Sequence, residues 1–227
     1  MQKKAPADEL TCYSRLREAI LSGEFMPNEH LVEADLARSL DTGRAAVRAA
    51  LSRLEHEGLV ERMRHRGARV RRISEAEAIE ILEVRAALEA LTARQAAKNV
   101  TPDDVAELHS ILDELRQHSR ANDLLAYSDT NGRLHRKIIS IARHHTAERM
   151  IATLNAQNVR FQYRTILAPG RPAHSLQEHE VIVQAISMGD ADAAETAMRT
   201  HLSHVAETLR TIATGNSEHA PTERIAQ

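Results

Sequence analysis

The sequence predicts a mainly α-helical protein in two parts, a small helical head closed by a β-hairpin and a longer antiparallel all-helical bundle. Ala, Leu, Glu and Arg abound while aromatics are 2% of residues and Trp is absent, which favours helices over strands. Apolar residues recur at helical spacing along most of the chain, and only the stretch after Gly58 alternates. A length of 227 residues accommodates two cores.

The first helix is expected from Asp8 to Ser22, where Leu10, Tyr13, Leu16, Ile20 and Leu21 repeat, and Gly23 with Pro27 stops it. A short helix over Glu33–Leu40 keeps Leu36, Ala37 and Leu40 together, and Asp41-Thr42-Gly43 breaks it. A third begins near Arg44, turns Val47, Leu51 and Leu54 inward and ends at Gly58, a residue suited to a left-handed cap. Two helices joined by a tight Gly-containing turn make a helix-turn-helix. Alternation from Leu59 to Arg64, a turn at His65-Arg66-Gly67 and a second run through Val70 to Ile73 add a wing.

Ser74 and Glu77 then form a capping box for a long helix to about Lys98. Thr101-Pro102-Asp103 opens the next, and Asn122 or Asp123 the one after. A helix over about 147–168, a loop at Pro169-Gly170-Arg171-Pro172, a helix over about 175–188 and an Asp190-capped helix to about Ala213 complete the bundle. The expected organisation is a winged helix-turn-helix over 1–73, a helical effector-binding and dimerisation domain over 74–214, and a polar, disordered tail over 215–227.

The net charge of −2 hides an asymmetry. Residues 1–72 carry 14 Lys+Arg against 11 Asp+Glu, the remainder 16 against 21, so the two parts suit different partners. One cysteine, Cys12, excludes an internal disulfide framework and a cysteine-cluster metal site. The first residues carry no apolar stretch after their basic ones, and no window nears the roughly 18 apolar residues of a membrane span. A soluble, cytoplasmic protein is expected.

The second helix of a helix-turn-helix presents its N-terminal residues to base edges in the major groove. Here these are Gly43, Arg44, Ala45, Ala46 and Arg48, with Arg44 and Arg48 one turn apart on the face opposite Val47 and Leu51. A guanidinium can grip guanine O6 and N7 bidentately. Arg53 extends this surface toward the DNA backbone, and Arg62, Arg64, Arg66, Arg69, Arg71 and Arg72 line the wing, with Gly67 letting its tip come close. Taken alone, the arginine run is equally a solvated hairpin; in the order helix, turn, arginine-bearing helix, basic hairpin, it points to double-stranded DNA.

The stretch Leu31 to Val70 resembles the GntR-family winged helix-turn-helix. That family has a Ser-Arg-Thr-Pro-Val-Arg core, which stands here as Gly43-Arg44-Ala45-Ala46-Val47-Arg48, keeping both arginines and losing the hydroxyl at Ala45. The resemblance implies operator contacts from Arg44, Arg48, Arg66 and Gly67.

Of the 13 histidines, three on different bundle helices sit among apolar residues at helical spacing: His135, one turn after Asn131, then His179 and His201. Three imidazoles and one oxygen donor from three helices can ligate a metal inside a bundle, although spacing alone leaves each histidine equally a core residue. The bundle from Ser74 to about Ala213 is similar to the FadR-type, or FCD, effector domain of the same family. Metal-bearing members place an Asp or Asn four residues before a His, then a Glu-His pair, then a His before Leu; Asn131, His135, Glu178-His179 and His201-Leu202 match. The resemblance implies a divalent ion, zinc or a nickel-like metal, completed by a small organic acid. A neutral Asn131 stands where many members have aspartate.

Arg85, Arg160 and Arg164 are candidates to meet an anionic effector, with Arg85 as readily an ion-pair partner of Glu89 one turn away. His109, His118, His144, His145, His174 and His204 read as surface or cap residues. The expected protein is a homodimeric, DNA-binding transcription repressor released by an organic acid, and not an enzyme. Two readings remain beside it, a metal-dependent enzyme and a protein-interaction module, each with a winged-helix accessory domain.

Overall fold

The computed structural model describes residues 9–63 and 67–217, so the expectations for Arg64, Arg66 and positions 218–227 lie outside the described residues. Two compact units emerge. One takes the described residues up to Ile73 together with Asn155–Val159, and the other takes Ser74–Leu154 with the described residues from Arg160 onward.

In the first unit, α1 (Glu9–Ser22), α2 (Glu33–Ser39) and α3 (Arg44–His56) enclose a core of Cys12, Leu16, Val47, Leu51 and Leu54, all fully buried. Leu10, which shares the helical repeat, stands exposed in the first turn of α1, and Cys12 takes an inward place instead. Beyond α3, Gly58 adopts φ +70°. Its N–H donates to the Glu55 carbonyl and that of Leu59 to Leu54, the pair of bonds that closes a helix end around a left-handed residue.

Strands β2 (Val60–Met63) and β3 (Gly67–Val70) form the antiparallel hairpin, and a further strand, β1 (His30–Leu31), pairs with the other edge of β3 to give the order β1-β3-β2. Two residues are too few to show alternation, so β1 is invisible in the sequence. It also explains Gly67. That residue has φ +84°, and a Cβ there would meet the Leu31 carbonyl oxygen at 2.5 Å, so the glycine admits β1 alongside β3 whatever approaches the wing. From α7, Ala156 is buried within the same core, and Gln157 donates to the Glu57 carbonyl at 2.7 Å.

The second unit is built from α4 (Glu75–Asn99), α5 (Pro102–Ala121), α6 (Leu124–Ala142), α7 (His145–Ile166) apart from Asn155–Val159, α8 (Arg171–Ser187) and α9 (Ala191–Ser217). The starts follow side-chain chemistry. Ser74 accepts from the Glu77 N–H, and Thr101 and Asp104 form a reciprocal capping box ahead of Pro102. Asp123 accepts from Ala126, whereas Asn122 is the left-handed cap that ends α5, so the ambiguous pair divides the two tasks. Asp190 accepts from Ala193 at the start of α9.

Two helix boundaries differ most from expectation, and the second wing strand ends at Val70 rather than Ile73. Helix α8 begins at Arg171, inside the predicted loop, because proline is compatible with the first helical positions. Helix α9 continues to Ser217, past both the expected end near Ala213 and the start of the expected tail at 215.

The small residues Ala86, Ala93, Ala96 and Ala97 on α4 let neighbouring helices approach closely, and α4 has its longest seam with α9. Leu108, Leu112, Leu115, Leu134, Ile138, Ile182 and Leu202 fill the space between. The fold is mainly helical with one small antiparallel sheet, as the composition predicts. Among the described residues no helix is long and apolar enough to cross a membrane.

Candidate metal centre and nucleic-acid interface

In the second unit, α6, α8 and α9 each direct one histidine into the bundle. His135, His179 and His201 are all buried, and the ligand atoms they offer lie within 4.8 Å of one another. Their rings are 5.4, 5.4 and 4.5 Å apart between centroids. His179 Nε2 and His201 Nε2 are separated by 3.3 Å. Two imidazole nitrogens each about 2.05 Å from a tetrahedral ion stand about 3.3 Å apart, so this pair is already at bridging distance. Asn131 lies one turn before His135 on α6, half-buried.

Two carboxylates, Glu89 fully buried and Glu178 half-buried, decide which nitrogens face inward. Glu89 on α4 accepts from His135 Nδ1 at 2.7 Å through Oε2, while its Oε1 accepts from Arg85 Nε and Nη2 at 2.9 and 2.7 Å. Glu178 on α8 accepts from His201 Nδ1 at 2.6 Å and from His204 Nδ1 at 2.7 Å, and it pairs with Arg171 at 2.8 Å. With Nδ1 engaged on His135 and His201, each keeps Nε2 for a metal, the arrangement in which a carboxylate sets the tautomer and raises ligand basicity. His179 differs: its Nδ1 is buried with no hydrogen-bond partner.

The electrostatics favour the neutral forms of His179 and His201 and the charged forms of both carboxylates. Burial depresses His179 well below the usual histidine range, assisted by His201, His135 and Arg171. Burial likewise outweighs the Glu178 hydrogen bond and pushes His201 down to about 4. For Glu178, burial acts upward, but hydrogen bonds from His201 and Arg171 hold it at about 2. Glu89 is depressed further, because the Arg85 and His135 charges overcome its complete burial. Neutral imidazoles are the form that binds metal, and two arginine–glutamate pairs around them cancel in charge.

The three arginines proposed for an effector are placed differently. Arg85 spends two donors on Glu89, which is the ion-pair reading of that residue. Arg164 pairs with Glu75 at 2.7 Å, at the start of α4 and about 21 Å along that helix from Glu89. Arg160 is half-buried on α7, and burial lowers its pKa. Arg171, read as part of a loop, is the buried arginine that the sequence does not single out; its helix-start position hides its link to Glu178, seven residues on. Likewise Glu89 meets His135 across 46 residues of sequence. His204, read as a surface residue, is exposed yet bonded to Glu178.

On the first unit, α3 presents Arg44, Ala45 and Arg48 on its exposed face, opposite buried Val47, Ala50 and Leu51. The Arg48 guanidinium straddles the Glu33 carboxylate, with Nε 3.3 Å from both oxygens and Nη2 2.9 Å from one. Arg53 turns back over the Tyr13 ring, 3.8 Å from its centroid, and lies 3.8 Å from Glu57, so its side chain braces α1 against α3. The wing arginines are partly neutralised: Arg69 pairs with Glu61 at 2.7 Å, and Arg62 lies 3.8 Å from both Glu33 and Glu55. Gly67 is at the start of β3, and Arg66 lies outside the described residues.

Residues 9–70 match the bacterial regulatory proteins of the gntR family, and residues 80–204 match the FCD domain. Among curated proteins none matches this chain. Solved structures are similar over nearly their whole length. E. coli McbR/YncC has a TM-score of 0.70 at 21% identity, covering 93% of this chain and 98% of that one. A transcriptional regulator GntR from Rhodococcus sp. RHA1 has a TM-score of 0.68 at 20% identity, covering 89% and 97%. The structure described as Lar, which controls the Listeria monocytogenes agr system, has a TM-score of 0.62 at 21% identity, covering 92% and 100%. At these identities the likeness is one of fold.

Proposed function

The chain belongs to the GntR family of transcription regulators, with an FCD domain behind its DNA-binding head, and from that premise we propose that it is a metal-dependent repressor released by a small organic acid. The observation that carries the reading is the convergence of three buried imidazoles from three helices, two of them 3.3 Å apart through Nε2. His135, His179 and His201, with Asn131 as a neutral oxygen donor, would hold a divalent ion, zinc or nickel by ligand type. When bound, that ion supplies a positive centre with positions open to an anionic ligand.

The charge balance favours a carboxylate effector. Glu89 is matched by Arg85 and Glu178 by Arg171, and three imidazoles and an amide are neutral when they bind metal, so the charge of a divalent ion is left to an incoming anion. Arg85 and Arg164 are committed to Glu89 and Glu75.

At the other end, a homodimer would lay two copies of α3 into successive major grooves, roughly 34 Å apart, on a pseudo-palindromic operator. An acid can weaken that complex only by binding more tightly to the arrangement that does not fit DNA.

The test is metal content. Untagged protein supplied with zinc is expected to carry close to one ion per chain, and His179→Ala to carry almost none. Wild-type protein free of metal after such supply ends the metal reading. A screen of small organic acids by thermal shift, with and without zinc, would then identify the effector class.

A further inference from the structure

The carboxylate of Glu33 binds two arginines from two other elements, beyond the favourable place of an acid in the first turn of a helix. Its side chain is 19% exposed, at the start of α2. It accepts both Nε and Nη2 of Arg48 on α3, and it lies 3.8 Å from Nη1 of Arg62 on β2. Arg62 in turn donates Nη2 to the Arg48 carbonyl at 3.1 Å. Recognition helix and wing strand are thus joined through one acid.

We propose that Glu33 is a positioning residue for DNA readout, holding Arg48 by one edge so that its free fork is presented in a fixed plane to a guanine. The inference rests on the reading that Arg48 meets bases. A guanidinium has five N–H donors in a plane, divided between a side edge, Nε with Nη2, and an end fork, Nη1 with Nη2. Glu33 takes the side edge, and the end fork is the one that matches guanine O6 and N7. Arg48 nevertheless remains 63% exposed on its side chain, so the fork is accessible.

The carboxylate has two opposed effects. It removes rotamer freedom that Arg48 would otherwise lose on binding DNA, which favours the matched site. It also places a negative charge beside phosphates, which weakens binding to every sequence alike. The hydrogen bond from Arg48 keeps that charge in place by lowering the Glu33 pKa against its burial. Glu33 therefore exchanges indiscriminate affinity for discrimination, and a purely structural role would not separate the two.

The experiment uses the full-length protein, a duplex that it selects from a random-sequence pool, and a scrambled duplex of the same composition. Glu33→Gln is expected to bind the scrambled duplex more tightly, with a salt dependence steeper by about one ion, while the advantage of the selected duplex falls about tenfold. Arg48→Ala is expected to lose that advantage, and the double variant to lose no more, because the two residues act as a unit. Glu33→Asp, which keeps the charge and shortens the reach, is expected to lose discrimination without the change in salt dependence; it carries the test if Glu33→Gln does not fold. An unchanged ratio in Glu33→Gln, or a parallel loss on both duplexes, overturns the proposal. An unchanged ratio in Arg48→Ala overturns the base-reading role beneath it.

Discussion

Replacing Glu89 by Gln removes one charge from a fully buried site and leaves its shape, which makes it the most informative perturbation of the bundle. In the wild type, Oε2 accepts from His135 Nδ1 at 2.7 Å and Oε1 accepts twice from Arg85. The substitution leaves the Arg85 guanidinium buried without its counter-charge, a change that costs about 3–5 kcal/mol in stability. It also weakens the acceptor that fixes the His135 tautomer, and loss of such a partner lowers metal affinity about 10- to 100-fold, or about 1.4–2.8 kcal/mol. The two effects separate in the double variant Arg85→Met with Glu89→Leu, where apolar side chains replace both charges and stability returns toward the wild-type level. Metal affinity should stay low, because His135 still lacks its acceptor. Melting in the presence of a chelator gives the first quantity, and competition with a chromophoric zinc chelator gives the second. A double variant that binds zinc as tightly as wild type would refute the role assigned to Glu89.

Two further perturbations test other parts of the structure. His179 and His201 have pKa values below the ordinary 6.5, His201 at about 4, so the unfolded chain binds protons there before the folded one does. The stability of metal-free protein should therefore fall as pH drops from about 6.5 toward 4, and the extra stability conferred by zinc should shrink over the same span as protons compete for the imidazoles; melting temperatures that are flat across this range contradict the buried, neutral state of His179 and His201. Gly67→Ala forces φ +84° on a residue with a Cβ and drives that atom against the Leu31 carbonyl, so it should cost more than about 1 kcal/mol in urea unfolding, and an unchanged midpoint would mean that β1 does not pack as described.

Family, fold class and most helices are legible in the sequence because they rest on local signals. Thr101 with Asp104, Asp123, Gly58 and Asp190 set helix ends through bonds to backbone groups within a few residues, and the apolar faces of α3 and α6 follow from a period of 3.6. The motif spacing that suggests Asn131, His135, His179 and His201 as a set comes from resemblance, since nothing local brings three helices to one point. Where periodicity is too short or interrupted, the reading fails: β1 has two residues, and α8 starts inside a Pro-Gly-Arg-Pro segment.

What the sequence by itself determined is thus the order of elements, the capped ends, the apolar faces and the types of residue available for DNA and metal. The tertiary structure decided which charged groups meet. Of the two readings open for Arg85 it favours the ion pair with Glu89; it lays Arg53 over Tyr13, and it brings Glu178 to Arg171 and Glu33 to Arg48. The reason is physical: helix caps and faces are governed by neighbours within a turn, whereas contacts such as Glu89 with His135, Glu178 with His201 and Glu33 with Arg48 join residues 46, 23 and 15 apart along the chain, which only the packed elements bring together.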